Sequence, residues 1–283
     1  MTTRQPKTEA AILAETANLI LDKYFHNQKN ICTYDKVELT RMLRLAEANK
    51  KSDYALFHFI KALRYVVLGN FNEAINSYEA TLRIPNSHAG ILSNYATTLI
   101  ILGELEQAKE MLIKCLNKTD DTVSNSEYFA NIIELYLLST LDETLLQHAG
   151  NIKGSSLDRY SNILKLKTDI TKIDISIQDY QEFTGILIKF IFDKTRQIYQ
   201  PRFSIDDGLD RQLNIEAFLN INSDEALYLN TEFRNQYLDY IFDNERHDLL
   251  GKFVVFFRQN KNREDGTEKP KAFYLGTNRE LEA

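Results

Sequence analysis

The carboxylates best placed to do chemistry lie near the C-terminus, where Asp206, Asp207 and Asp210 are followed by Glu216. Gathered at strand ends, such oxygens can hold a divalent cation for phosphodiester chemistry. The competing reading is a solvated turn built on Asp206-Asp207-Gly208, because Asp and Gly favour turns, and it is the preferred one. A second set is basic: Lys252, Arg258, Lys261, Arg263, Lys269 and Lys271 outnumber Glu264, Asp265 and Glu268, with Phe256, Phe257 and Tyr274 nearby. Cations beside aromatic rings can stack on single-stranded RNA, although mixed charge in a polar loop first suggests a solvated turn. The sequence has no Gly-rich phosphate loop, nucleophile elbow or paired-histidine motif, and His26, His58, His88, His148 and His247 are scattered. No catalytic residue, metal ligand or cofactor is expected, and the chain reads as a non-enzyme.

The elements that must position any site belong to a sizeable folded chain. It has 283 residues, 43% of them apolar, with a net charge of -6. An acidic balance repels phosphate backbones and anionic lipid, so any nucleic-acid site has to be local. The most apolar stretch, Tyr54 to Leu68, carries Lys61 and Arg64 and is too short to span about 30 Å of hydrocarbon, so no membrane partner is expected. Cys32 and Cys115 are the only cysteines, and neither has a histidine at metal-ligand spacing. That usage fits a reducing compartment, with the cytoplasm as default, and Cys115 reads as a small apolar residue on a packed helix.

Self-similarity at a fixed period decides the architecture. Leu68-Gly69 recurs as Leu102-Gly103, Ala62 as Ala96, Ala74 as Ala108 and Leu82 as Leu116, each at a separation of 34. Such residues suit a helix hairpin: the glycines end a first helix in a left-handed conformation, and the alanines let a second helix approach closely. Phe71, Ala74, Ile75, Tyr78 and Leu82 form an apolar stripe that Leu105, Ala108, Leu112 and Leu116 repeat.

Residues 55–121 resemble two tandem tetratricopeptide repeats, on Ala62-x-x-Tyr65 with Ala74-x-x-x-Tyr78 and again Ala96-x-x-Leu99 with Ala108-x-x-x-Leu112. The sequence departs from the family pattern at His58 and Leu92, where the family prefers Trp, at Lys61, where it prefers Leu, and at Pro85 and Asp120. Degenerate hairpins are expected on either side, at Glu9 to His26 with Tyr34 to Asn49, and at Ser126 to Leu138 with Leu141 to His148.

Beyond Gly150, Ser156 to Lys167 and Gln178 to Lys194 read as helices. Gln197 to Ile205 and Leu213 to Ile221 read as strands, the first demoted to an edge by Pro201. A helix capped at Asn222 or Ser223 should bury Ala226, Leu229, Phe233, Tyr237 and Ile241, and Lys252 to Gln259 is expected to pair with Lys271 to Leu275. The fold class is therefore mainly α: a short α-solenoid of helix hairpins over residues 1–195, then a small α+β domain with an antiparallel sheet over 196–283.

The resemblance implies a protein-binding scaffold or adaptor that recognises a partner through the concave face, formed by the first helix of each hairpin. Carried onto this sequence, that face is Phe59, Leu63 and Val66, then Ser93, Thr97 and Ile100, then Glu127, Asn131 and Glu134. The expected ligand is an amphipathic segment with apolar anchors followed by basic residues. The alternatives, both in the C-terminal domain, are a regulated metal-dependent phosphodiesterase-like enzyme and an RNA-binding protein.

Overall fold

The computed structural model describes residues 32–84, 89–118, 127–149, 157–195, 199–208, 211–259 and 274–277, together with Ile12, Leu13, Thr16 and Ile20. The rest of the helix expected over Glu9 to His26, and residues 119–126, 150–156 and 260–273, lie outside the described residues. The chain is mostly helical with a small C-terminal sheet, and it divides into two compact units, 1–98 and 99–283.

The first unit contains α1 (Thr33–Ala48), α2 (Tyr54–Leu68), α3 (Phe71–Leu82) and the start of α4 (Ala89–Leu102). Asp53 caps α2 by accepting the Leu56 N–H at 2.9 Å, supplying one acceptor to the free amides of a helix start. The α2 helix buries Phe57, Phe59, Ile60, Ala62, Leu63, Val66 and Val67, which leaves only a narrow outer strip. Gly69 ends it at φ 75°. Ala74 is fully buried on α3, and the Tyr78 ring stacks on Tyr95 of α4 at 4.9 Å.

The second unit continues with α5 (Leu105–Leu116), α6 (Glu127–Thr140), α7 (Glu143–Ala149), α8 (Leu157–Lys172) and α9 (Ile177–Thr195). The 34-residue period extends to individual backbone hydrogen bonds. Asn70 N–H bonds the Tyr65 carbonyl and Gly69 N–H that of Val66, and Glu104 bonds Leu99 while Gly103, at φ 79°, bonds Ile100. At the far end of each pair, Arg83 to Glu79 and Ile84 to Thr81 recur as Asn117 to Ile113 and Lys118 to Cys115.

The third hairpin is looser. Its left-handed position falls to Leu141 at φ 50°, which follows Gly103 by 38 positions and so sits one turn beyond the register. The last four carbonyls of α6 nevertheless all have donors. Leu141 N–H bonds Leu137, the Tyr180 hydroxyl donates to Leu138, Thr184 to Ser139 at 2.6 Å, and Gln181 to Thr140 at 2.6 Å. The last three donors come from side chains of α9.

The sheet follows, with β1 (Gln200–Asp206) and β2 (Gln212–Leu219) antiparallel as expected. The helix α10 (Ser223–Asp243) begins at a reciprocal cap: Asn222 accepts the Glu225 N–H and Glu225 accepts the Asn222 N–H, each at 2.9 Å. It buries Ala226, Leu229, Phe233, Tyr237 and Ile241, the face read from the sequence. Two strand assignments need correction. β3 (Phe253–Gln259) pairs in parallel with β2, and β4 (Tyr274–Thr277) in parallel with β1, in the order β3-β2-β1-β4. The two do not pair with each other and the sheet is mixed, because a crossover helix returns the chain to the end from which β2 set out.

β1 is also internal rather than an edge. Its even-numbered residues turn their backbone groups to β2, so Pro201 lacks its donor on the β4 side, and the described β4 pairing begins only at Phe203.

One sheet face carries the core. Phe203, Ile205, Leu213, Ile215 and Leu219 are fully buried, and Phe183 of α9 stacks on Phe253 at 4.1 Å with Tyr237 edge-on at 4.9 Å. Phe190 reaches Phe233 at 5.1 Å. The expected boundary at 195/196 therefore separates no two cores, since α9 belongs to the same core as the sheet. Arg246, just past α10, adds an ion pair to Asp179 and another to Glu182 at 3.0 Å. Burial works against the Asp179 charge, yet hydrogen bonds from Ser176 and Arg246 prevail and hold its carboxyl below the usual range.

Candidate binding surfaces

Most residues expected to line a partner groove are inside the protein. Phe59, Leu63, Val66, Ser93, Thr97, Ile100 and Glu134 are all buried. Glu127 and Asn131 sit on α6, and their side chains lie outside the described residues. Helices α2 and α4 are apolar almost all round, which is the pattern of a helix enclosed by neighbours rather than one that faces a ligand. The Ser93 and Thr97 hydroxyls are engaged within their own helix, donating to the Gly90 and Ser93 carbonyls at 3.0 Å each. No groove floored by Phe59 and Leu63 is open in this structure.

The outer side of α2 carries exposed Tyr54 and half-buried His58, Lys61 and Tyr65, spaced four, three and four apart and so on one side. The strip is aromatic and cationic. Tyr54 and His58 lie 4.3 Å apart, Lys50 sits 4.6 Å over the Phe57 ring, and Lys61 sits 5.6 Å over Tyr65. Both ring nitrogens of His58 are buried, and neither has a hydrogen-bond partner among the described residues. Desolvation, then the charges of Lys61 and Lys50, push its pKa below the ordinary 6.5. The sequence carried a signal for this strip, because His58 and Lys61 are two of the departures from the repeat family's pattern: polar residues stand where packing residues belong.

A second surface is the sheet face away from the helices. Glu216 lies between Arg202 and Arg258, at 3.3 Å from each, and the two guanidinium groups cover Phe218 at 4.8 Å and Phe256 at 5.2 Å. Arg258 is half exposed and Phe256 is exposed. The carboxylates considered for a cation are not drawn together here. Asp206 accepts the Gly208 N–H at 2.9 Å in a tight turn and pairs across to Gln212. Glu216 is four residues further along β2, about 13 Å away. Asp210 lies outside the described residues, among which no three metal-ligating side chains are grouped.

The basic C-terminal set is likewise divided. Lys252 donates to the Ile173 carbonyl at 3.1 Å, Arg258 is paired with Glu216, and Phe257 is in the core. Lys261, Arg263, Lys269 and Lys271 lie outside the described residues. Among the described residues no helix is long and apolar enough to cross a membrane. Comparison with protein-family models, with curated proteins and with solved structures found no match to this chain.

Proposed function

We propose that the protein is a protein-binding scaffold or adaptor built on helix hairpins that resemble tetratricopeptide repeats. The observation that carries this reading is the recurrence of the same backbone hydrogen bonds, 34 residues apart, at both ends of the second helix of each clear repeat. Stacked helix pairs of this kind display side chains for recognition while needing no catalytic group. The outer side of α2, with exposed Tyr54, half-buried His58, Lys61 and Tyr65, and exposed Lys50 just before the helix, suits an acidic segment with an aromatic or apolar anchor. The basic segment expected to bury its anchors against Phe59 and Leu63 and to pair at Glu127 and Glu134 is set aside, because Phe59, Leu63 and Glu134 are buried. The sparse use of cysteine, with Cys32 exposed and Cys115 buried, favours a reducing compartment such as the cytoplasm.

Affinity capture with the full chain tests the reading. A protein recovered in stoichiometric amount by the unaltered chain, and lost with Lys50→Glu/Lys61→Glu, is the expected result. Capture of no protein, or of one indifferent to that double substitution, overturns it.

A second reading has its own observation: the Arg202–Glu216–Arg258 cluster between two phenylalanines, with Phe256 and Arg258 exposed, is an arrangement on which RNA bases can stack. Here binding of single-stranded RNA should fall steeply with salt and be lost in Arg202→Glu/Phe256→Ala. Binding that ignores salt excludes this reading.

A further inference from the structure

The helix α10 ends in a way that works against its own stability. Asp243 closes it, Asp239 lies one turn earlier, Glu245 follows in a left-handed conformation at φ 55°, and no basic residue stands in the last turn. A helix C-terminus is the negative end of the dipole and favours cations, so these carboxylates sit where they are least welcome. All three are exposed, and among the described residues their side chains make no ion pair or hydrogen bond. An apolar surface lies with them. Phe242 is 58% exposed, with the His247 ring 5.4 Å away, and Leu250, 45% exposed, has its N–H bonded to the His247 carbonyl at 3.2 Å. Half-buried Leu238 precedes Phe242 by one turn on the same side.

The neighbouring cations are already committed. Arg246 pairs with Asp179, with Glu182 at 3.0 Å and with Asp248 at 3.2 Å, one guanidinium against three carboxylates. Lys252 is held at the Ile173 carbonyl and Arg211 at Asp174. Tyr237, 7% exposed and stacked on Tyr240 at 6.2 Å, lies within reach of the Arg246, Asp179 and Asp248 charges, and its buried hydroxyl has no hydrogen-bond partner among the described residues. The described chain stops well away from here. Gln259, at the other end of β3, is about 20 Å from Phe253, and Thr277 of β4 is three strands, about 14 Å, from it.

We propose that this end of α10 docks a basic segment of a partner protein, with Phe242 and Leu250 taking an apolar anchor and Asp239, Asp243 and Glu245 pairing with the lysine or arginine residues that flank it. Charge complementarity selects that occupant. A nucleic acid or an anionic lipid surface meets an excess of like charge here, and a second copy of the chain brings the same net charge of -6. The anchor supplies most of the affinity, and the carboxylates set orientation and the rate of encounter. A lysine or arginine arriving at Asp243 also supplies the cation that the last turn of the helix lacks. The surface adds to the scaffold a second binding site, opposite in charge to the strip on α2.

A labelled amphipathic peptide of leucine and lysine, titrated into the full chain at low salt and followed by fluorescence anisotropy, should bind one to one and about tenfold more tightly than a lysine-only peptide of the same length. Phe242→Ser and Asp239→Lys/Asp243→Lys should each weaken it about tenfold with an unchanged far-UV spectrum. Glu110→Lys/Asp193→Lys makes the same change of charge at exposed carboxylates on other helices, and should leave the affinity within about twofold. Absence of peptide binding overturns the proposal. So do equal losses in the two lysine variants, undiminished binding to Phe242→Ser, or no preference for the peptide that carries leucine. A chain that self-associates without peptide and becomes monomeric in Phe242→Ser gives the surface to a second copy and overturns the proposal as well.

Discussion

At the scale of single residues, burial and hydrogen bonding set measurable quantities. His58 is held neutral by desolvation beside Lys61 and Lys50, so its folded-state pKa lies below the unfolded value near 6.5. Above that pH both states are neutral and the residue contributes no pH dependence. As the pH falls through 6.5 the unfolded chain takes up the proton first, and stability declines until the folded-state value is reached. Urea denaturation across this range should show that slope, and His58→Gln should remove it. If the His58 ring protons titrate at or above 6.5 by NMR, the desolvation account is wrong. On α9, Thr184→Val keeps the shape but leaves the buried Ser139 carbonyl without its donor, which should cost about 1–3 kcal/mol in chemical denaturation. Thr168→Val, where an exposed hydroxyl bonds Leu164, serves as the control and should stay within about 0.5 kcal/mol.

At the scale of elements, the two clear hairpins should respond alike to the same change. A Cβ added at Gly69 or Gly103 meets nothing within 4 Å, so alanine there costs only backbone strain, about 1–2 kcal/mol at each site. Thermal denaturation should show matching losses for Gly69→Ala and Gly103→Ala, and a large difference would mean that the shared hydrogen bonds do not reflect shared energetics. The hairpins were legible in the sequence because their determinants are local: a glycine past the helix end, an alanine at the close approach, and the Asn222–Glu225 cap of α10. Strand neighbours were not. Pro201 suggested an edge, but which side of β1 needs no donor depends on where β4 begins, some seventy residues later. β3 was assigned to the next strand in sequence, whereas the helical crossover returned it to the previous one. The burial of Phe59 and Leu63, expected on the partner face, was hard to read for a different reason. Phe59 and Leu63 satisfy both a groove and a core, and only the all-round apolar character of α2 leans toward the core.

At the scale of the whole molecule, α9 belongs with the sheet. A chain ending at residue 195 keeps α9 but loses Phe233, Tyr237, Phe253 and Phe257, against which Phe183 and Phe190 pack. Such a fragment should expose both rings, bind a hydrophobic dye and self-associate on size exclusion, whereas the full chain should do so far less. A well-behaved 1–195 fragment with native-like hydrogen exchange in α9 would show that the helix needs no sheet.

The capping of α6 by α9 also has a direction in time. The donors to Leu138, Ser139 and Thr140 come from residues 42, 45 and 41 positions further along the chain. During synthesis α6 therefore leaves the ribosome with its final turn unfinished, three carbonyls depending on water until α9 has been made and has docked. A pause or a cut between the two helices holds the chain in that half-completed state, and the end of α6 becomes a local record of whether residue 184 has emerged and docked.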